Sequence, residues 1–183
     1  DLEEALAALD ELETIAGKDA TRKVVIEECL VGREVSLIMF ADGEDFALMP
    51  PTRDHKRIGE GDTGPNTGGM GTITDSSLLS DDQTAEVVAT IIKPTLAGCI
   101  AEGFPFRGIL FLGLMMTPNG PKLLEYNVRF GDPETQAVLV RLETDLVEII
   151  KATIDHKLAD MQVKWSSEPA VCVVKARESE AYD

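Results

Sequence analysis

Glu125 and Asn127 stand two residues apart near the end of a strand-like run, in the stretch Leu124-Glu125-Tyr126-Asn127-Val128-Arg129-Phe130-Gly131-Asp132-Pro133-Glu134. Side chains alternate along a strand, so both face one side. A carboxylate and an amide oxygen placed together suit a hard cation such as Mg²⁺, which completes its octahedron with phosphate and water. Arg129, two positions further, reaches the same place and could neutralise a phosphoryl group in transfer. The plain alternative is a solvated strand end, and this stretch alone does not decide between them.

A second segment, Thr63-Gly64-Pro65-Asn66-Thr67-Gly68-Gly69-Met70-Gly71, follows the basic run Arg53-Asp54-His55-Lys56-Arg57. Its glycines permit positive φ and close backbone approach, with Gly68 expected to use that freedom. The exposed amides of such a loop bind anionic oxygens. No Gly-Lys-Ser/Thr follows, so it is not a P-loop. A flexible surface loop is the competing reading, and the neighbouring cations favour an anion site. A third segment, Val24 to Leu30 with Gly32-Arg33-Glu34 after it, carries paired acids, Glu27 and Glu28, on an otherwise apolar run. A strand edge meeting an adenine ring, with Glu34 near ribose hydroxyls, is one reason for such acids. Solvent-facing alternation is the other, and it is preferred when the segment is read alone.

Other chemistries find little support. Cys29, Cys99 and Cys172 are widely spaced and expected to be small buried apolar residues in a reducing compartment. His156 is expected on an exposed helical face, and no Ser-His-Asp or Cys-His arrangement can be argued. The formal net charge of −16 opposes nucleic acid or an anionic membrane as partner. It also opposes a triphosphate unless Mg²⁺ or further basic residues supply cations. The longest nearly apolar run, Gly108 to Met116, is too short to span a bilayer.

The elements that must position these residues follow from periodicity. Residues 1–16 predict an amphipathic helix, with Asp1 and Glu4 at capping-box spacing and Gly17 ending it. Strands are expected over 23–30 and 34–41, then a hairpin at Asp42-Gly43 and a strand over 45–49 that Pro50-Pro51 stops. Residues 52–77 show no period and read as one long functional loop. A helix is expected from Ser80 to about Glu102, kinked at Pro94. A buried strand over 107–117, a turn at Pro118-Asn119-Gly120 and a partner strand over 122–126 follow. Helical sequence over about 135–158 and a strand over 170–174 complete the order. Strands grouped rather than alternating with helices give an α+β class, a mostly antiparallel sheet with packed helices.

Together the stretches VVIEECLVGREVS (24–36), DHKRIGEGDTGPNTGGMG (54–71) and LEYNVRFGDPETQ (124–136) resemble the phosphoribosylamine–glycine ligases, also called glycinamide ribonucleotide synthetases, of the ATP-grasp type. The order and spacing agree over about residues 1–174. The resemblance implies an ATP-grasp fold, in which two α+β subdomains clasp ATP with Mg²⁺ or Mn²⁺. It implies ligation of glycine to 5-phosphoribosylamine through glycyl phosphate, in cytoplasmic purine biosynthesis. By matching positions it makes Glu125 and Asn127 the metal ligands, and Glu27, Glu28, Leu30 and Glu34 the adenosine contacts. Arg129, Asp132 and Lys56 become catalytic. Asp54, Asn66, Thr67, Gly68 and Gly69 become substrate contacts.

The resemblance also implies missing parts. Residues 1–16 are expected as the last helix of a small subdomain, 17–165 as the catalytic subdomain, and 166–183 as the start of a further domain. The first residue is not Met and the N-terminal domain and phosphate-holding lysines of the family are lacking, so a fragment without ligase activity of its own is expected. Lys175 to Asp183 does not follow the family. The competing readings are another ATP-grasp carboxylate–amine ligase and a non-catalytic nucleotide-binding module. Retention of Glu125, Asn127 and Arg129 argues against the module, and the GPNTGGMG loop argues against the other ligase.

Overall fold

The computed structural model describes residues 2–61 and 63–175. It divides into two compact units, residues 1–30 and 31–183. In the first unit, helix α1 spans Leu2–Ala16 and ends at Gly17, whose φ of 81° is the left-handed turn glycine adopts without strain. Leu6, Leu9, Leu12 and Ile15 on this helix are exposed. The expected cap from Asp1 lies outside the described residues. The strand expected over 23–30 is absent: those residues carry no strand assignment, and Val25 and Ile26 are 80% and 90% exposed. A β-branched run has the propensity for a strand, but a strand exists only when a partner takes its hydrogen bonds.

The second unit is built on one antiparallel sheet. Its strands are β1 (Arg33–Asp42), β2 (Phe46–Leu48), β3 (Thr52–Asp54), β6 (Gly71–Thr74), β7 (Arg107–Thr117), β8 (Gly120–Asn127) and β9 (Ala170–Val173). The order is β8-β7-β1-β3-β6-β9, with β2 paired to the far end of β1. A separate ribbon pairs β4 (Arg57–Gly59) with β5 (Thr63–Asn66). Residues 52–77 are therefore not one aperiodic loop. Each strand there has three or four residues, too few for a period of two to show in the sequence.

Each sheet face buries its own cluster because β1 and β7 are apolar at both odd and even positions. On one face Leu37, Met39, Leu112 and Leu114 pack under Val87, Ile92 and Leu96. Val87 comes from helix α2 (Asp81–Val87), Leu96 from helix α3 (Lys93–Ala101), and Ile92 from the turn between them. On the other face Ile38, Phe40 and Phe111 pack under Val138, Ile149 and Ala152. These belong to helix α4 (Glu134–Leu139) and helix α5 (Leu146–Ile154).

Ser80 and Gln83 form the capping box that opens α2. The kink expected at Pro94 is replaced by a π-helical turn, Val88–Ile92, immediately before it. A wider turn there accommodates both the missing N–H of proline and its ring. The whole stretch Asp81–Ala101 is 21 residues and, by length and composition alone, could cross a bilayer. Here its buried side is spent on the core. The helix expected over 135–158 is interrupted, because Leu142 bridges to Trp165 and Asp145 caps a new helix through Val147 N at 2.7 Å. His156 lies beyond α5, exposed and at φ 56°. None of the three cysteines is fully buried: Cys29 is exposed, and Cys99 and Cys172 are partly so. The units divide at 30/31 rather than 16/17, and β9 belongs to the same sheet as β6.

Candidate functional site

Ser36 pairs with Gly113 and Ile38 with Phe111, while Glu125 pairs with Gly113 and Asn127 with Phe111. Glu34, Ser36, Glu125 and Asn127 therefore share the face that α4 and α5 cover elsewhere. The helices sit over Ile38 and Phe40, leaving the Glu34 end of the face open. Asn127 Nδ2 donates to Glu125 Oε1 at 3.2 Å, so the expectation that both point to one side holds. Rotating the Asn127 amide by 180° presents its oxygen instead. Two hard oxygen donors then lie side by side.

The same face extends across β3. Thr52 pairs with Ser36, so Asp54, two residues on, projects toward the same side. Beyond Asp54 the chain stays tied back: His55 N donates to Gly71 O at 2.8 Å and Thr67 N to Lys56 O at 2.7 Å. Lys56 Nζ lies 3.4 Å from Glu34 Oε2. These two residues line both of two adjoining cavities. The larger, of about 490 Å³, is also bordered by Arg33, Arg53, Asp54, Arg57 and Asn66. The smaller, of about 160 Å³, reaches Ser36, Gly113, Leu124 and Glu125. Four of the 17 basic residues of an acidic chain thus meet at one cavity, a setting that attracts anionic oxygens.

Half-buried Asp54 and buried Glu134 form the acidic part of the site. Burial raises the Asp54 carboxyl above its ordinary range, against the opposing charge of Lys56 and the His55 amide, and its Oδ1 has no hydrogen-bond partner. Glu134 is 4% exposed, and burial followed by the charge of Asp54 raises it too, with Lys56 and Arg129 opposing. Gly69 closes over Asp54 and Pro133 with φ 134°. A Cβ there would lie 2.5 Å from Pro133 Cδ and 3.1 Å from Asp54 Oδ1. Gly68, singled out from the sequence for its conformational freedom, is exposed, not in the left-handed region, and has open space around it. The constrained glycine is its neighbour.

Other expected residues are near but differently engaged. Arg129 Nη1 donates to Phe130 O at 2.8 Å and is exposed. Asp132 Oδ1 accepts from Gln136 Nε2 at 2.6 Å. Thr67 Oγ1 donates to Lys56 O at 2.8 Å, which holds the loop rather than leaving the hydroxyl free. Glu27, Glu28 and Leu30 belong to the other unit, where Glu27 and Glu28 are exposed; Glu34 belongs to this one and lies on the open face. Sequence reasoning gave no role to Arg33 or Glu134. An acid at the start of a helix is ordinary, and only its burial marks Glu134.

The family description "Phosphoribosylglycinamide synthetase, ATP-grasp (A) domain" matches residues 1–135. The chain belongs to this family. It is 45% identical over 177 residues to a phosphoribosylamine–glycine ligase of Brucella melitensis, covering 97% of this chain and 42% of that protein. It is 52% identical over 155 residues to a bifunctional purine biosynthetic protein of Schizosaccharomyces pombe, covering 85% of this chain and 20% of that one. Among solved structures, a phosphoribosylamine–glycine ligase from Thermotoga maritima superposes with a TM-score of 0.72 at 35% identity, over 80% of this chain and 37% of the other. An L-amino acid ligase from Bacillus licheniformis shares the fold alone, at TM-score 0.64 and 14% identity over 97% of this chain and 44% of that one. The α+β ATP-grasp class read from the sequence is thereby shown. The chain spans about two fifths of the length of curated ligases that it matches.

Proposed function

We propose that this chain is the nucleotide- and metal-binding part of a cytoplasmic phosphoribosylamine–glycine ligase of de novo purine synthesis. Family membership carries ATP use with a divalent cation; Mg²⁺ or Mn²⁺ is the finer reading. In the proposed reaction a glycine carboxylate oxygen attacks the γ-phosphorus of ATP and ADP leaves. The amine of 5-phosphoribosylamine then attacks the glycyl carbon, phosphate leaves with the C–O electron pair, and the amine nitrogen gives up a proton.

The single observation carrying this reading is that Glu125 and Asn127 share one open sheet face with Glu34, whose carboxylate meets Lys56 at the cavity that Arg33, Arg53 and Arg57 also border. Only hard oxygen donors are offered by Glu125 and Asn127, and no cluster of three His, Cys, Asp or Glu exists among the described residues. Such a pair fits Mg²⁺ or Mn²⁺ that takes its remaining ligands from phosphate and water. When bound, the cation neutralises charge on the phosphate oxygens. Lys56 and the arginines hold anionic groups of the substrates beside it, and Arg129 stands by the transferring phosphoryl group. Asp54, Asn66, Thr67, Gly69 and Asp132 shape the substrate loop, with Gly68 as open backbone. Glu34 contacts adenosine.

Further parts of the full-length protein complete the substrate sites in this reading. The isolated chain is inactive. The deciding experiment is ADP formation by the full-length protein. Turnover requiring both glycine and 5-phosphoribosylamine supports the proposal. Turnover with other carboxylate–amine pairs but not this one points to a different ATP-grasp ligase.

A further inference from the structure

The pairing of β7 with β8 changes step at one place. Below it Leu114 pairs with Leu123, Met115 with Lys122 and Met116 with Pro121. Above it Gly113 pairs with Glu125, Leu112 with Tyr126 and Phe111 with Asn127. Leu124 has no partner of its own, so Leu124 and Glu125 together stand against Gly113, as in a β-bulge. Leu123 packs on the α2/α3 side of the sheet. Strict alternation from Leu123 would send Glu125 and Asn127 to that same side. The extra residue inverts the alternation. Tyr126 goes to the α3 side, its hydroxyl against Thr95 Oγ1, and Glu125 and Asn127 emerge on the open face.

Gly113 is the other half of this arrangement. A Cβ there would lie 3.0 Å from Glu125 Cγ and 3.7 Å from its Oε1. The backbone of Gly113 is not in the left-handed region, so nothing in its own conformation requires glycine. What requires it is the room taken by the Glu125 side chain. Strand glycines weaken a sheet, and one retained beside a bulge marks a close approach.

We propose that Gly113 and the extra residue Leu124 are positioning residues that aim Glu125 at the cation; this rests on the metal reading above. The test uses the full-length protein with Gly113→Ala and Gly113→Val, titrated with Mn²⁺ in the presence of ADP by electron paramagnetic resonance, alongside thermal melts. The atom that must yield belongs to an exposed side chain, and alanine and valine suit strands better than glycine. The expected result is Mn²⁺ binding weakened at least tenfold, more for valine than alanine, with Tm equal to wild type or higher. Wild-type Mn²⁺ binding by folded Gly113→Ala overturns the proposal, as does a Tm that falls in step with binding. Glu125→Gln separates the two levels. If it loses Mn²⁺ while Gly113→Ala keeps it, only the positioning role fails. If Glu125→Gln itself binds Mn²⁺ normally, the metal reading beneath it fails.

Discussion

Asn127 and Glu125, two residues apart on β8, are joined by an Nδ2–Oε1 hydrogen bond of 3.2 Å on the open face of the sheet. Glu125 is exposed, so it contributes little to packing. Glu125→Ala in the full-length protein is expected to lower turnover by about 10²–10³-fold, the scale for removing one group that stabilises charge in transfer. Its stability should stay within about 0.5 kcal/mol of wild type. ADP release and a urea melt measure the two, and undiminished turnover would sink the metal assignment.

Gly69 and Gly68 make a matched pair for the substrate loop. Gly69→Ala places a methyl against Pro133 and the Asp54 carboxylate at a φ of 134°. It is expected to cost about 1–3 kcal/mol and to raise the substrate KM. Gly68→Ala meets nothing and is expected to be silent. Equal effects of the two on KM would show that the loop works through flexibility and not through this contact.

Asp42 ties the β1–β2 hairpin to the chain beyond α5. It is 2% exposed, its Oδ1 accepts from Asp45 N at 2.9 Å and Glu44 N at 3.3 Å, and its Oδ2 accepts from Leu158 N at 3.1 Å. Burial by itself would raise its carboxyl, but these amides outweigh burial and lower it. Asp42→Ala leaves buried amides unpaired and is expected to cost about 2–4 kcal/mol in urea unfolding. Because the folded form holds the proton less tightly, this contribution is present above the ordinary carboxylate range and lost as pH falls through the depressed value.

Glu134 has the opposite sign. Burial, then the charge of Asp54, raises its carboxyl in the folded state. Its ionised form costs stability at pH 7, and that cost disappears as acid protonates it. Glu134→Gln is therefore expected to raise Tm at pH 7 while impairing activity. The gain should shrink toward zero as pH approaches 4. A Tm lower than wild type at pH 7, with no dependence on pH, would count against a buried ionised acid at this position.

Much of this fold is legible in local sequence. The β1–β2 hairpin at Asp42-Gly43, the long apolar strand over 107–117, its turn at Pro118 to Gly120 and the Ser80/Gln83 cap each depend on neighbours in the chain. Near-neighbour rules suffice where the partner is only a few residues away. They fail where the partner is distant. Residues 23–30 have strand propensity and no partner, whereas 52–54 and 71–74 show no periodicity and are strands because β1 and β9 offer edges.

The sequence by itself determined which donors this protein possesses: the Glu125/Asn127 pair, the basic run around Lys56, and the glycine-rich loop after it. Residue types and spacings are local, and so is the chemistry they permit. Tertiary structure decided which way those donors point and what surrounds them. Alternation along β8 is counted from a pairing register, and the unpaired Leu124 reverses that count at Glu125. Glu134 and the Asp54 charge beside it are 80 positions apart, and Gly69 and the Pro133 it packs against are 64 apart. Such distances are closed only when the sheet forms, so no window along the chain contains them.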